Sequence, residues 1–228
     1  MIKAIVFDLD GTIVDTEMLW TDAMVNYLKD QGCDCSRESI LEIVYGRSWT
    51  DIYDDLIASF PAVAATSSKE MALILSVYHQ QLRDNSDEVV INSSVKVLKE
   101  LAASYPVIVV SGSPRQDIIE CLQIADITSS VQFILGAEDY SPGKPHPAGY
   151  LMGATMLGVE PAECLVFEDS AAGVTAAKSA GMMCVALSRA SAHKQDVSHA
   201  DLVLSDLSEL NLNDLQRTIN CSLSPVSD

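Results

Sequence analysis

Two aspartates lie two positions apart in the segment Asp8-Leu9-Asp10-Gly11-Thr12, which follows an apolar run from Ile2 to Phe7. Side chains alternate along a strand, so a strand here would direct Asp8 and Asp10 to the same side, and Gly11 would allow a sharp turn just beyond them. One carboxylate could then attack while the other carries protons. The spacing predicts a metal-assisted phosphoryl-transfer site.

Two simpler interpretations apply to the same segment. An Asp-rich turn after a strand is common, and the first residues also resemble a calcium-binding loop. An EF-hand loop that began at Asp8 would need Gly at its sixth position and Glu at its twelfth, where this chain has Ile13 and Leu19. By itself the segment is about as typical of a turn as of a site, so its context must decide.

The composition limits the class of protein. With 228 residues and 48% hydrophobic residues, the chain can bury one core and carry a smaller inserted domain. Its 32 acidic and 14 basic residues give a formal charge of -18, which disfavours binding to nucleic acid or to an anionic membrane. A phosphorylated substrate would therefore require a locally positive pocket.

The six cysteines show neither a CxxC pair nor zinc-site spacing, which is typical of reduced structural thiols. The N-terminal apolar run becomes acidic too early for a signal peptide, and no apolar stretch approaches the ~20 residues of a membrane span. These features predict a cytoplasmic protein. We expect a monomer or a weak dimer.

Short apolar runs rich in β-branched residues recur along the chain, separated mostly by segments of helix length. This alternation predicts an α/β fold, with a Rossmann-like parallel sheet whose strands are covered by helices on both faces. The runs are Lys3–Phe7, Val107–Val110, Val131–Leu135, Cys164–Phe167, Cys184–Leu187 and Leu202–Leu204.

About a hundred residues between the first and second runs have helical patterning instead. They predict an inserted α-helical cap domain at 15–88 and a catalytic core formed by 1–14 and 89–220, with a disordered polar tail at 221–228. The cap helices are predicted at Met18–Gln31, Arg37–Val44, Trp49–Ala58 and Lys69–Leu82.

A hydroxyl group is predicted at the carboxyl end of the second strand. Ser111 and Gly112 are followed by Ser113, a candidate helix N-cap, and by Pro114, a candidate first helical residue. A plain capped helix would explain this pattern. However, ligands bind at the carboxyl edge of open α/β sheets, where Asp8 is also predicted, so we favour phosphate binding by Ser111 and by nearby amides such as that of Gly112.

Two further segments carry charge to the same edge. Lys144 lies in a loop stiffened by Pro145 and Pro147, and it could be simply solvated or could be held in place to bind phosphate. Glu168 and Asp169 follow the strand at Cys164–Phe167, where they could stabilise a helix dipole or hold a metal.

Electrostatics favours the metal. Two unit charges ~4 Å apart interact by about 4 kcal/mol at an effective dielectric constant of 20, so Asp8 would repel a dianionic phosphate by on the order of 8 kcal/mol. A divalent cation is therefore needed. Carboxylate ligands with water in the remaining positions suit Mg²⁺.

Taken together and in this order, Asp8 to Thr12, Ser111, Lys144 and the pair Glu168-Asp169 resemble the four motifs of the haloacid dehalogenase superfamily. The resemblance extends from residue 1 to about residue 210. Within the superfamily, the chain is similar to the branch of β-phosphoglucomutase and small sugar-phosphate phosphatases, in which a helical cap follows the first motif.

This resemblance implies a role for each acidic residue. Asp8 would be the nucleophile that forms an aspartyl-phosphate, and Asp10 would protonate the leaving oxygen and then deprotonate the attacking water. Mg²⁺ would bind Asp8, the backbone carbonyl of Asp10, and Asp169. Glu168 would either complete the metal ligands or lie behind them.

The resemblance also implies the groups that bind the substrate, a small phosphorylated metabolite. Ser111 and Lys144 would hold the transferring phosphoryl group. Arg47, in the cap loop that matches the family's substrate loop, and Trp20, early in the first cap helix, are candidate substrate contacts, although an Arg is usually solvated and a Trp usually packs in a core. Arg115 is a further candidate contact.

The predicted function is a Mg²⁺-dependent phosphatase that acts on a sugar phosphate. A phosphomutase of the β-phosphoglucomutase type is an alternative, but the mutases of this branch carry a cap histidine where this chain has Trp20, which favours hydrolysis. A catalytically silent module that binds metal and phosphate is a third alternative. It is disfavoured because the acidic, hydroxyl and lysine components are all present.

Overall fold

The computed structural model describes residues 1–44, 49–84, 89–189 and 195–211. Arg47, the cysteine at 221 and the predicted tail at 221–228 lie outside these ranges. The chain divides into two compact units, one formed by Met1–Val14 with Val90–Asp228 and the other by Asp15–Val89. Among the described helices, none combines the length and the apolar character that a membrane crossing requires.

The first unit is built on a parallel sheet of six strands in the order β3-β2-β1-β4-β5-β6. Its strands are β1 (Ala4–Phe7), β2 (Val107–Val110), β3 (Phe133–Leu135), β4 (Cys164–Glu168), β5 (Met183–Leu187) and β6 (Leu202–Leu204). Each strand begins and ends within two residues of a predicted apolar run. The predicted α/β fold is confirmed.

The central strands are apolar except for Glu168, the last residue of β4, because both of their faces are covered. Every residue of β1, β2 and β4 is buried, and Phe7 stacks on Phe167 with ring centroids 4.5 Å apart. The expectation of two covered faces is wrong for β6. Leu202 and Val203 are 36% and 41% exposed, since β6 lies at the edge of the sheet and pairs, among the described strands, with β5 alone.

The described residues of this unit also form four α-helices that alternate with the strands in sequence: α5 (Asn92–Ala102), α6 (Arg115–Ile124), α7 (Ala148–Leu157) and α8 (Ala171–Ser179). The start of α8 follows its local sequence signal, because the Ser170 hydroxyl accepts a hydrogen bond from the Gly173 amide. The predicted start of α6 is wrong. Pro114 occupies the N-cap position, and Ser113 lies outside the helix with its side chain bonded elsewhere.

The described residues of the second unit form α1 (Thr16–Asp30), α2 (Arg37–Val44), α3 (Trp49–Ser59) and α4 (Ser68–Asp84), all within two residues of the predicted bounds. One face of each helix contributes to a common apolar cluster, in which Leu28, Ile40, Leu56 and Leu75 are fully or nearly fully buried. This unit therefore has a core of its own.

Candidate active site

Three adjacent strands deliver the predicted site residues to one edge of the sheet. Asp8 follows β1, Ser111 follows β2, and Asp169 follows β4, with β1 in the middle of the three. The strand order reverses its direction at β1 and β4, and this is the point where open parallel sheets leave a crevice beyond their carboxyl ends. The topology therefore explains why residues far apart in sequence converge here.

Lys144 lies at the centre of this edge. Its ammonium contacts Asp8 Oδ1, lies 2.6 Å from Glu168 Oε1 and lies 3.3 Å from the carbonyl oxygen of Val110. The side chain of Lys144 is only 14% exposed. It is thus a fixed, largely buried cation rather than a solvated surface lysine.

Glu168 is fully buried, and both of its oxygens are occupied. Oε1 accepts hydrogen bonds from Lys144 and, at 2.7 Å, from the hydroxyl of Tyr150. Oε2 accepts from the amides of Asp169 and Ser170 at 3.0 and 3.1 Å and from the Ser170 hydroxyl at 3.0 Å. Five donors leave this carboxylate little capacity for a metal, which favours the alternative that Glu168 lies behind the metal ligands.

The carboxylates nevertheless form a cluster that fits a hard cation. One oxygen each of Asp8, Glu168 and Asp169 lie within 4.8 Å of one another. Gly11, at φ +80°, makes room for this arrangement, because a Cβ there would lie 1.9 Å from Asp169 Oδ2. An all-oxygen donor set of this kind suits Mg²⁺.

The charge balance of the cluster points the same way. Burial, together with the charges of Glu168 and Asp10, raises the pKa of Asp8 to about 8, against the lowering effect of Lys144. Burial lowers the pKa of Lys144, but the charges of Asp8 and Glu168 outweigh it and raise that pKa well above its ordinary value. One lysine thus leaves an excess of negative charge, which a divalent cation would neutralise.

Asp10 lies against the segment that follows β2. Its Oδ2 accepts a hydrogen bond from the Ser111 hydroxyl at 3.2 Å and a shorter one, 2.6 Å, from the Ser113 hydroxyl. The amide of Ser113 in turn donates to Ser111 Oγ at 2.9 Å. Sequence reasoning missed Ser113 as a site residue because its position before a proline and a helix is also typical of a cap.

Three further residues lie in or near the segment that follows β2: Tyr140, Gly112 and Arg115. Tyr140 donates to the carbonyl of Ser111 at 2.8 Å, which fixes the end of β2. Gly112 is exposed, and, its chain neighbours aside, no atom lies within 4 Å of the position that a Cβ would take there. The guanidinium of Arg115 is paired with Asp139 at 2.6 Å, so a substrate contact by Arg115 would compete with this ion pair.

The two predicted contacts in the second unit have different outcomes. Arg47 lies outside the described residues. Trp20 is partly buried and packs on the apolar cluster of its own unit, where its ring stacks on His79 with centroids 4.1 Å apart. Its predicted role toward substrate stays a prediction.

One glycine tests the packing of the site directly. Gly173 lies in the first turn of α8, where a Cβ would lie 1.7 Å from Glu168 Oε1. Alanine normally stabilises a helix by up to ~1 kcal/mol relative to glycine, but Gly173→Ala is expected to lower both Tm and kcat because it displaces Glu168. Thermal melts and phosphatase assays would check this, with Ala172→Ser on the exposed face of α8 as the control. A variant as stable as the wild type would contradict the close contact.

Comparison with known families identifies the family to which this chain belongs. A family model described as haloacid dehalogenase-like hydrolase matches residues 5–187, which include every strand of the site. The chain belongs to this family. The family model thus confirms the predicted resemblance to the haloacid dehalogenase superfamily.

Curated relatives within this family cover almost the whole chain. The chain is 32% identical over 212 residues to validoxylamine A 7'-phosphate phosphatase of Streptomyces hygroscopicus subsp. limoneus, covering 92% of this chain and 96% of the relative. It is 29% identical over 216 residues to hexitol phosphatase B of Escherichia coli K12, covering 94% and 96%.

Solved structures support the haloacid dehalogenase-like fold. A putative β-phosphoglucomutase from Thermotoga maritima superposes with a TM-score of 0.78 at 22% identity, covering 95% of this chain and 99% of that one. A family hydrolase from Deinococcus radiodurans R1, solved with bound phosphate and sodium, gives 0.77 at 24% identity, covering 96% and 97%. At these identities the likeness establishes the fold alone.

Proposed function

We propose that this haloacid dehalogenase-like hydrolase is a Mg²⁺-dependent phosphatase that hydrolyses a sugar phosphate or a similar small phosphate ester through an aspartyl-phosphate. The observation that carries the proposal is the convergence of Asp8, Lys144 and Asp169 beside Ser111 at one sheet edge. A nucleophilic carboxylate, a fixed cation and a hydroxyl donor are the groups that phosphoryl transfer requires.

In the proposed reaction, an oxygen of Asp8 attacks the phosphorus and the bond from phosphorus to the ester oxygen breaks. Asp10 donates a proton to the departing oxygen, which leaves as an alcohol. Asp10 then removes a proton from a water molecule that attacks the phosphorus of the aspartyl-phosphate. Inorganic phosphate is released, and Asp8 is regenerated as a carboxylate.

The remaining residues stabilise charge and position. Lys144 and Ser111 would hold the phosphoryl oxygens as negative charge spreads over them. Asp8, Asp169 and the backbone carbonyl of Asp10 would hold Mg²⁺, which when bound neutralises the repulsion between the carboxylates and the phosphate. The Ser113 hydroxyl, which donates the shorter bond to Asp10, would orient this carboxylate while the Ser111 hydroxyl turns from Asp10 to the phosphoryl group.

The choice of substrate class rests on the relatives. Enzymes named hexitol phosphatase A and B match more than nine tenths of this chain, and the relative with 32% identity is also named as a phosphatase. These names support hydrolysis over transfer between two positions of one sugar. They also support a phosphorylated sugar or sugar alcohol as substrate.

The test is a panel of phosphorylated sugars and polyols, assayed for release of inorganic phosphate with Mg²⁺ and with EDTA. We expect turnover with Mg²⁺, its loss in EDTA, and its recovery when excess Mg²⁺ is added. Phosphate release that is insensitive to EDTA would contradict the metal. Conversion of a hexose phosphate into its isomer, activated by a bisphosphate, would favour the mutase, and no reaction with any ester would favour the silent binding module.

A further inference from the structure

Tyr150 is a buried residue that touches the charged centre of the site without lying at its open edge. It belongs to α7, is 1% exposed, and donates a hydrogen bond from its hydroxyl to Glu168 Oε1 at 2.7 Å. The ammonium of Lys144 lies 5.1 Å from the centre of the Tyr150 ring. Tyr150 therefore contacts both members of the Lys144–Glu168 pair.

Lys144 is shared between two carboxylates. It contacts Asp8, the proposed nucleophile, and it contacts the same oxygen of Glu168 that accepts the Tyr150 hydroxyl. The more fully Glu168 is satisfied by other donors, the less strongly it attracts the ammonium. Tyr150 thus shares Oε1 with Lys144 and limits how strongly this oxygen draws the ammonium away from Asp8.

We propose that Tyr150 is a positioning residue, whose hydroxyl bond to Glu168 keeps Lys144 directed toward Asp8 and the transferring phosphoryl group. The inference rests on the proposed function, because its expected effect on kcat requires phosphatase activity. It does not require Tyr150 to touch the substrate.

Two properties of the site suit the hydroxyl to this role. Burial and the neighbouring charge of Glu168 raise the pKa of Tyr150 well above its ordinary value, so the phenol stays protonated and remains a donor. The face of the ring also offers the ammonium a favourable electrostatic surface. The hydroxyl and the ring therefore have separable effects, because phenylalanine retains the ring alone.

The test compares Tyr150→Phe with Tyr27→Phe. Tyr27 and its neighbour Thr66 both belong to the second unit, Asp15–Val89. Tyr27 is also buried, at 3% exposure, and its hydroxyl lies 3.4 Å from Thr66 Oγ1. Tyr27→Phe therefore measures the general cost of removing a buried tyrosine hydroxyl. We expect Tyr150→Phe to lower kcat about tenfold, the size of a lost hydrogen bond to a charged group, and to raise KM several-fold because Lys144 also binds the phosphate group of the substrate. Tyr27→Phe should leave both within twofold.

A second measurement separates positioning from a loss of folded protein. The dissociation constant of inorganic phosphate with Mg²⁺, measured by calorimetry, does not depend on the fraction of protein that is active. It should rise several-fold in Tyr150→Phe but not in Tyr27→Phe.

A double variant tests whether Tyr150 acts through Lys144. In a Lys144→Met background, Tyr150→Phe should have no further effect on the residual kcat, because the ammonium that Tyr150 positions is gone.

Two results would count against the role of Tyr150, and a third would count against the proposed function. Wild-type kcat and phosphate affinity in Tyr150→Phe, or an equal loss of kcat with and without Lys144, would overturn the inference. If the wild type released phosphate from no ester, the proposed function would fail instead. The phosphate dissociation constants would still test whether Tyr150 positions Lys144.

Discussion

Replacement of Asp8 with Asn is expected to abolish phosphate release, by roughly 10⁴-fold or more in kcat, because the reaction loses its nucleophile. Asn keeps the size of the side chain and one oxygen at the end of β1, so the fold should persist. The measurement is release of inorganic phosphate from the best ester of the panel with saturating Mg²⁺. Activity near the wild-type level would remove Asp8 as the nucleophile.

Asp126→Asn is a suitable control for this substitution. Asp126 has a φ of +51°, a conformation that Asn also tolerates, and its side chain is 98% exposed beside Lys99. Asp126→Asn therefore makes the same chemical change on an exposed side chain that is not part of the site. We expect wild-type kcat from this variant, so that loss in Asp8→Asn reports the site and not the loss of a charge.

The raised pKa of Asp8 adds a second readout. The carboxyl has an ordinary value of 3.8 and a folded-state value of about 8. Between these pH values the folded state binds more protons than the unfolded state, so ionisation of Asp8 lowers stability as the pH rises. Without metal, Tm of the wild type should therefore fall more steeply between pH 5 and pH 8 than Tm of Asp8→Asn. Parallel Tm profiles would contradict a cost of burying the ionised Asp8 that exceeds the stabilisation by Lys144.

The strands of the sheet were predictable because short apolar runs indicate them locally and because the central strands are buried along their whole length. Strands such as β2 and β4 are covered on both faces, so they read as continuous β-branched or apolar runs of the right length. The exposure of β6 was not predictable, since the run at Leu202 has the same composition and only the strand order makes it an edge.

The same distinction holds within the site. Asp8, Ser111 and Asp169 each follow a strand, so the topology rule was enough to bring them together. Tyr150 gives no such signal, because its contact with Glu168 arises from the packing of α7 against the sheet. Ser113 was misread because a hydroxyl before a proline is typical of a helix cap, whereas its actual partner, Asp10, lies 103 positions away.

Replacement of Lys144 with Met is expected to have the other large effect. It removes the fixed cation from the transferring phosphoryl group, which should lower kcat by about 10²- to 10³-fold. It also leaves Asp8 and the fully buried Glu168 without their shared partner, a change that costs about 3 to 5 kcal/mol in buried ion pairs. Without metal, Tm should therefore fall well below that of the wild type.

Mg²⁺ should restore part of this lost stability. The acidic cluster is more negative without Lys144, so the cation should bind more tightly and raise Tm by more in Lys144→Met than in the wild type. Lys178→Met is the matched control, because Lys178 also pairs with an aspartate at 2.6 Å but is 33% exposed, where such pairs contribute about 0 to 1 kcal/mol. It should retain wild-type kcat and the wild-type shift in Tm with Mg²⁺. An equal Mg²⁺ shift in Lys144→Met and the wild type would show that Lys144 and the cation do not act on the same carboxylates, since any shared carboxylate couples the two charges.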